Sequence, residues 1–125
     1  MANCLQYFVI YYSPNALGRG KINLGVVLLD LATKNNSVRF IRNWERVQSF
    51  HPDGDIELLQ AICREIEERI NGGDAENIIR LMEDSFSNDI QISERMEYHG
   101  SDVRSTMIDL VTTHLRESAV SVEAE

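Results

Sequence analysis

Two glycines and two cations lie close together between the first two apolar segments of the chain. The segment Gly-Arg-Gly-Lys at 18–21 contains Arg19 and Lys21, and accessible backbone N–H groups beside positive side chains can hold a phosphate or a carboxylate. No phosphate-binding fingerprint is complete, because Asn23 stands where a dinucleotide fingerprint needs a third glycine. Two interpretations stay open, an anion site and a plain hairpin whose charges face water.

Asn23 and Gly25 interrupt a segment that is otherwise apolar. A buried amide that finds no hydrogen-bond partner costs roughly 1–3 kcal/mol, and glycine within a strand lets another group approach closely. Asn23 is therefore a candidate binding residue. The alternative is structural: the Asn23 side chain holds the adjoining loop in place, and Gly25 leaves space for a packed helix.

More basic residues and the single tryptophan follow within the first 50 residues. Tryptophan and arginine dominate the hot spots of protein interfaces, although such a tryptophan can also close the edge of its own core. We predict one anion-binding or partner-binding surface from these residues. Its members are Arg19, Lys21, Asn23, Arg39, Arg42 and Trp44.

Catalytic and metal-binding patterns are weak. The three histidines have no metal-ligand spacing, the two cysteines form no Cys-x-x-Cys pair, and no Gly-x-Ser-x-Gly elbow occurs. The acidic residues between His51 and Glu57 could bind a cation through their carboxylate oxygens. Capping of the helix that follows explains these acids equally well. We assign no catalytic residue, metal or cofactor, and a hydrolase or nuclease that uses Asn23 and these acids stays an open alternative.

The charge of the chain is unevenly distributed. The 125 residues carry a net charge of −8, with six basic and two acidic side chains in residues 1–50 (+4) and six basic and eighteen acidic in residues 51–125 (−12). The overall charge disfavours wholesale attraction to nucleic acid or to an anionic membrane. The asymmetry predicts a basic face backed by acidic helices.

Hydrophobic patterns predict four strands and three helices. Apolar runs at 5–12, 22–30 and 38–42 are typical of three sequential strands, the second covered on both faces. Helical spacing follows at 56–70 and from 74, then an alternating strand at 90–98, with Ile90, Ile92, Met96 and Tyr98 on one face, and a helix from 103. The order βββααβα indicates an α+β fold, an antiparallel sheet of about four strands with helices packed on one face.

Length and composition predict one domain at 1–117 and a flexible C-terminal tail at 118–125. The longest run without a polar side chain, Leu24–Leu29, is far shorter than the roughly 20 residues of a membrane span. Two free thiols suit a reducing compartment. We expect a cytoplasmic protein with no membrane partner.

The N-terminal quarter also has a recognisable pattern. Tyr-Phe-Val-Ile-Tyr-Tyr at 7–12 is followed by Pro14, by Gly-Arg-Gly at 18–20 and by Ile-Asn-Leu-Gly-Val-Val-Leu at 22–28. This pattern resembles an uncharacterised bacterial domain family that is often encoded next to, or fused with, kinases similar to the HipA persistence toxin. The resemblance implies a bacterial cytoplasmic protein with a kinase-type neighbour.

These observations together predict a non-enzymatic protein-interaction or regulatory module. The resemblance implies an accessory or antitoxin-like partner of a larger protein, with a HipA-like kinase as one candidate. The alternative is binding of nucleic acid or of a nucleotide phosphate through the basic N-terminal hairpin.

Overall fold

The structure, a computed structural model, describes residues 5–13, 20–83, 90–98 and 102–115. The predicted tail at 118–125, Arg19 and Phe86, the expected last apolar residue of the second helix, lie outside these residues. The elements in chain order are β1 (Leu5–Tyr12), β2 (Ile22–Asp30), β3 (Asn36–Phe40), α1 (Glu45–Phe50), α2 (Ile56–Asn71), α3 (Ala75–Glu83), β4 (Ile90–Ile92), β5 (Met96–Tyr98) and α4 (Val103–Leu110), which continues as a π-helical segment (Val111–Leu115).

The strands form one antiparallel sheet in the order β3-β2-β1-β4, and β5 also pairs with β1. The first three strands are consecutive hairpin neighbours, as their short connections predict. The predicted fold class, α+β with an antiparallel sheet of about four strands, is confirmed. None of the helices in the described part of the chain is long and apolar enough to cross a membrane.

Strand β2 is buried on both faces. Every side chain from Leu24 to Leu29 that extends beyond Cα is at most 4% exposed, and successive side chains of a strand point to opposite faces. The π-helical segment contacts β2, and its His114 ring lies 5.3 Å from the ring of Tyr7. Phe8, on the opposite face of the sheet, is fully buried.

Helices therefore cover both faces of the sheet, whereas we expected them on one. Helix α2 contacts β3, and α3 contacts β4, whose Ile90 lies opposite Tyr12 on the face that carries Phe8. Helix α4 and the π-helical segment cover the other face. The physical reason is that β2 has apolar side chains of both orientations, so a single helical layer would leave half of them in water.

Helices α2 and α4 each begin directly after an aspartate that caps their first turn. The Asp55 carboxylate accepts a hydrogen bond from the Leu58 amide at 3.0 Å, and the Asp102 carboxylate accepts one from the Ser105 amide at 3.0 Å. Both side chains satisfy amides that the first helical turn leaves unpaired. The sequence pattern did not predict α1, a six-residue helix in which Val47 is the buried residue.

The strand predicted at 90–98 is interrupted. Ile10 and Tyr7 are three positions apart in β1, but their partners Ile92 and Met96 are four positions apart. The Ser93 hydroxyl accepts a hydrogen bond from the Val9 amide at 2.8 Å where the ladder is interrupted.

This extra residue changes which face the side chains occupy. Ile90 and Ile92 share the face of their partners Tyr12 and Ile10, whereas Met96 and Tyr98 share the face of Tyr7. The prediction that Ile90, Ile92, Met96 and Tyr98 lie on one face is wrong for this reason.

Gly25 makes room for an aromatic ring rather than for a helix. A Cβ atom at this position would lie 2.5 Å from Cδ1 and 2.7 Å from Cε1 of Phe40, which is the cross-strand partner of Gly25. The absence of a side chain thus allows the Phe40 ring to lie over β2.

We expect Gly25→Ala to lower the free energy of unfolding by about 1–3 kcal/mol, because the new methyl group displaces the Phe40 ring. Urea titration followed by circular dichroism measures this loss. In a Phe40→Ala background the same substitution should cost less than in the unchanged protein, since the clash with the ring is gone and only the 3.1 Å contact with the Arg39 carbonyl oxygen remains. An equal loss in both backgrounds would show that the Phe40 ring is not the cause.

Candidate functional site

A hollow of about 410 Å³ lies between the C-terminal end of β3 and the middle of α2. We call it the β3–α2 groove. Strand β3 and the segment after it form one wall, and one face of α2 forms the other. The groove is lined by Arg39, Phe40, Ile41, Arg42, Trp44, Gln60, Cys63, Arg64 and Glu67.

The β3 wall contains three residues of the predicted binding surface, Arg39, Arg42 and Trp44. Arg42 is exposed, and Arg39 is half-buried. Trp44 is also half-buried and packs against the hydrophobic core. Trp44 therefore closes the edge of its own core and also lines the groove, so the two interpretations of this residue are compatible.

The α2 wall contains residues that sequence reasoning did not select. Gln60, Cys63, Arg64 and Glu67 have the spacing i, i+3, i+4 and i+7, which places them on one side of a helix. That spacing is visible in the sequence. What the sequence lacks is any sign that this side of α2 lies beside β3.

The groove combines three arginines with one acidic residue, Glu67, in a chain whose net charge is −8. Within the described ranges, the guanidinium groups of Arg39 and Arg64 form no ion pair or hydrogen bond with another residue. By contrast, Arg69 on the same helix binds Glu65 at 2.7 Å. The groove is thus a local positive surface, and two of its cations have no partner among the residues that the structure describes.

Cys63 contributes a buried thiol to the groove wall and is only 4% exposed. Burial, together with the nearby Glu67 carboxylate, raises the pKa of this thiol from 9.0 to about 12. The nucleophilic thiolate is therefore almost absent at neutral pH. Cys63 is a packing residue of this wall rather than a nucleophile.

Lys21 and Asn23, which we expected on the same surface, do not line the groove. The Lys21 ammonium lies 4.4 Å from the centre of the Tyr11 ring, a cation–π geometry. The Asn23 side-chain amide donates a hydrogen bond to the His114 carbonyl at 2.8 Å. Asn23 thus holds the end of the π-helical segment, which is close to the structural alternative considered for it.

Arg46 has a comparable structural role. Its guanidinium donates a hydrogen bond to the Leu115 carbonyl at 2.7 Å, next to the carbonyl that Asn23 binds. Carbonyls at the end of a helical segment have no partner within it, so these two side chains supply donors from β2 and from α1. The C-terminal end of the described chain is tied to the sheet in this way.

The residues of the alternative hydrolytic site are also used structurally. The Tyr12 hydroxyl and His51 Nδ1 lie 2.6 Å apart, and Asp55 caps α2. No three His, Cys, Asp or Glu side chains within the described segments are grouped so that they could hold a metal ion. Asn23 and Asp55 therefore have separate structural contacts in place of a shared reaction centre.

A second polar group, which the sequence analysis missed, lies on the other face of the sheet. The Tyr98 hydroxyl donates to the Asp109 carboxylate at 2.8 Å, and this bond raises the pKa of Tyr98. Burial lowers the pKa of His114, which favours the neutral form of its ring. The Tyr7 ring contacts the rings of both Tyr98 and His114. Together with Asp109, these side chains connect α4 and the π-helical segment to the sheet.

We expect Asn23→Ala to lower the free energy of unfolding by about 1–3 kcal/mol, because the His114 carbonyl loses its donor. Urea unfolding measures the change. Asn71→Ala is the matched control, since Asn71 is an exposed residue at the end of α2. A loss no larger than that of the control would contradict the assigned contact.

We expect Cys63 to react slowly with iodoacetamide because its thiol is buried and protonated. In a Cys4→Ser background, alkylation at pH 8 should be about a hundredfold slower in the folded protein than in urea. Mass spectrometry of timed samples gives both rates. Similar rates in the two states would mean that the thiol is accessible.

Comparison with known proteins agrees with the sequence pattern at the family level. The chain matches a family described as "Protein of unknown function (DUF3037)" over residues 7–115. No curated protein and no solved structure is significantly similar to the chain. An uncharacterised domain family is thus confirmed, while a bacterial origin and a kinase-type neighbour stay predictions. The match covers most of the chain, which therefore belongs to the DUF3037 family.

Proposed function

We propose that this chain is a non-enzymatic protein-interaction module and that the β3–α2 groove is its binding surface. The observation that carries the proposal is the grouping of three arginines around the single tryptophan of an acidic protein. Arginine and tryptophan supply most of the binding energy in many protein interfaces. Arg39 and Arg64 form no ion pair within the described part of the chain, so these two cations are available to acidic groups of a partner.

The partner that we propose is a larger bacterial cytoplasmic protein, with a HipA-like kinase as the first candidate. The proposal of a kinase rests on the resemblance of the N-terminal quarter of the chain to a family that is often encoded next to HipA-like kinases. The groove adds a chemical requirement, because a partner of this surface must present acidic groups to Arg39 and Arg64. In this proposal the chain is an accessory or antitoxin-like subunit.

Nucleic-acid or nucleotide binding is the competing function for the same arginines. The overall charge of −8 opposes it, and Lys21, a cation of the hairpin that the sequence suggested, lies on the Tyr11 ring. Binding through phosphates would weaken steeply as salt increases. A salt titration with and without nuclease separates this function from protein binding.

We expect Arg39→Glu/Arg64→Glu to abolish capture of the partner when the tagged protein is used as bait in a lysate of its native host at low salt. Loss of two positive charges and gain of two negative ones makes the groove repel acidic groups. Quantitative mass spectrometry with nuclease-treated and untreated samples measures the captured proteins. The specific partner should persist after nuclease treatment.

The matched control is Arg80→Glu/Arg104→Glu, which makes the same change in net charge at exposed positions on α3 and α4. We expect this variant to retain the partner. Equal capture by the groove variant and by the unchanged protein would refute the groove as the binding surface. Capture that disappears with nuclease would assign nucleic-acid binding instead.

A further inference from the structure

The hydrogen-bond alternation of the β2–β3 ladder determines which backbone groups of β3 point outward. The Ile41 amide donates to the Leu24 carbonyl at 2.8 Å, and the Asp30 amide donates to the Asn35 carbonyl at 3.2 Å. Both bonds continue the register in which Val27 lies opposite Val38. In an antiparallel pair, the bonded residues alternate, so the odd-numbered residues of β3 bind β2.

The even-numbered residues of β3 therefore direct their N–H and C=O groups away from β2. Among the described residues, strand β3 is an edge of the sheet and pairs with β2 alone. In the ranges that the structure describes, no group forms a hydrogen bond with the backbone of Val38 or Phe40. The C-terminal end of this unpaired edge, at Arg39 and Phe40, borders the β3–α2 groove.

An unpaired strand edge presents donors and acceptors in alternation and can accept another strand. A phosphate backbone has only acceptors, so it would satisfy the N–H groups and leave the C=O groups unpaired. A polypeptide satisfies both. The edge thus favours a peptide occupant over a nucleic acid.

Charge complementarity selects the kind of peptide. Arg39 lies on β3 itself and shares the face of its cross-strand partner Val26, which is the face opposite to Phe40. A second copy of this chain paired at the same edge would bring the two Arg39 side chains close together, which like-charge repulsion opposes. An extended segment whose acidic side chains lie on the Arg39 face matches both the backbone and this arginine.

We propose that the groove binds its partner by strand addition, with an extended acidic segment of that partner pairing along the outer edge of β3. This inference rests on the proposed function and specifies the segment and its binding mode. The added strand hydrogen-bonds to Val38 and Phe40, and its acidic side chains lie on the face of Arg39. Its other side chains lie on the face of Phe40.

The probe is a capped seven-residue peptide of alternating glutamate and valine. Trp44 is the only tryptophan in the sequence, so its fluorescence reports binding at the groove. We expect a saturable fluorescence change with this peptide and none with the matching lysine–valine peptide. Absence of binding by the glutamate–valine peptide would overturn the inference.

Two N-methylated versions of the peptide test the binding mode. In an antiparallel added strand, residues opposite Val38 share its face, so the valine amides bind β3 and the glutamate amides point away. Methylating the valine nitrogens should weaken binding at least about tenfold, while methylating the glutamate nitrogens should change it less than about threefold. If methylating the glutamate nitrogens weakens binding more than methylating the valine nitrogens, strand addition is also supported, with the peptide parallel to β3.

Equal effects of the two methylated peptides would overturn strand addition. That result is distinct from failure of the proposed function, which depends on capture of the partner by the unchanged protein and its loss in Arg39→Glu/Arg64→Glu. Hydrogen exchange gives a second readout on the protein. We expect the amides of Val38 and Phe40 to exchange at least about tenfold more slowly in the complex, while the Arg39 amide, already bonded to β2, changes little.

Discussion

The burial of β2 on both faces, from Leu24 to Leu29, is the constraint on which the other elements depend. Its side chains from Leu24 to Leu29 leave no face for water, so the strand needs a neighbour at each edge and a helical layer on each face. Strands β1 and β3 supply the neighbours, α2 and α3 cover one face, and α4 with the π-helical segment covers the other. Gly25 departs from the apolar run, and there the Phe40 ring of the adjacent strand fills the space.

Strong local patterns made much of this fold predictable. The apolar and aromatic runs indicated β1 to β3, and the helical spacing with Asp55 as cap indicated α2. The prediction from hydrophobic alternation was wrong where the face that a side chain occupies depends on pairing with another strand. The alternation at 90–98 looks regular in the sequence, yet the residue inserted between Ile92 and Met96 is defined only by the register against β1. Helix α1 has only six residues, which are too few to show a helical period of apolar residues in the sequence.

The site was predictable to the extent that its residues are close in sequence. Arg39, Arg42 and Trp44 fall within six positions and share one groove wall. Lys21 and Asn23 are separated from that wall because each has a nearer partner, an aromatic face in one case and a backbone carbonyl in the other. Arg64 joins the groove only through the packing of α2 beside β3, which no local pattern encodes.

The two edges of the sheet differ in a way that limits assembly. At one edge, the Ser93 hydroxyl replaces a backbone carbonyl and the strand is divided into two three-residue pieces. Such a broken edge is a poor template for a further strand. Growth of copies edge to edge in an endless series would require a usable template at both edges. The interruption near Ser93 therefore disfavours such growth, although the outer edge of β3 has no partner strand among the described residues.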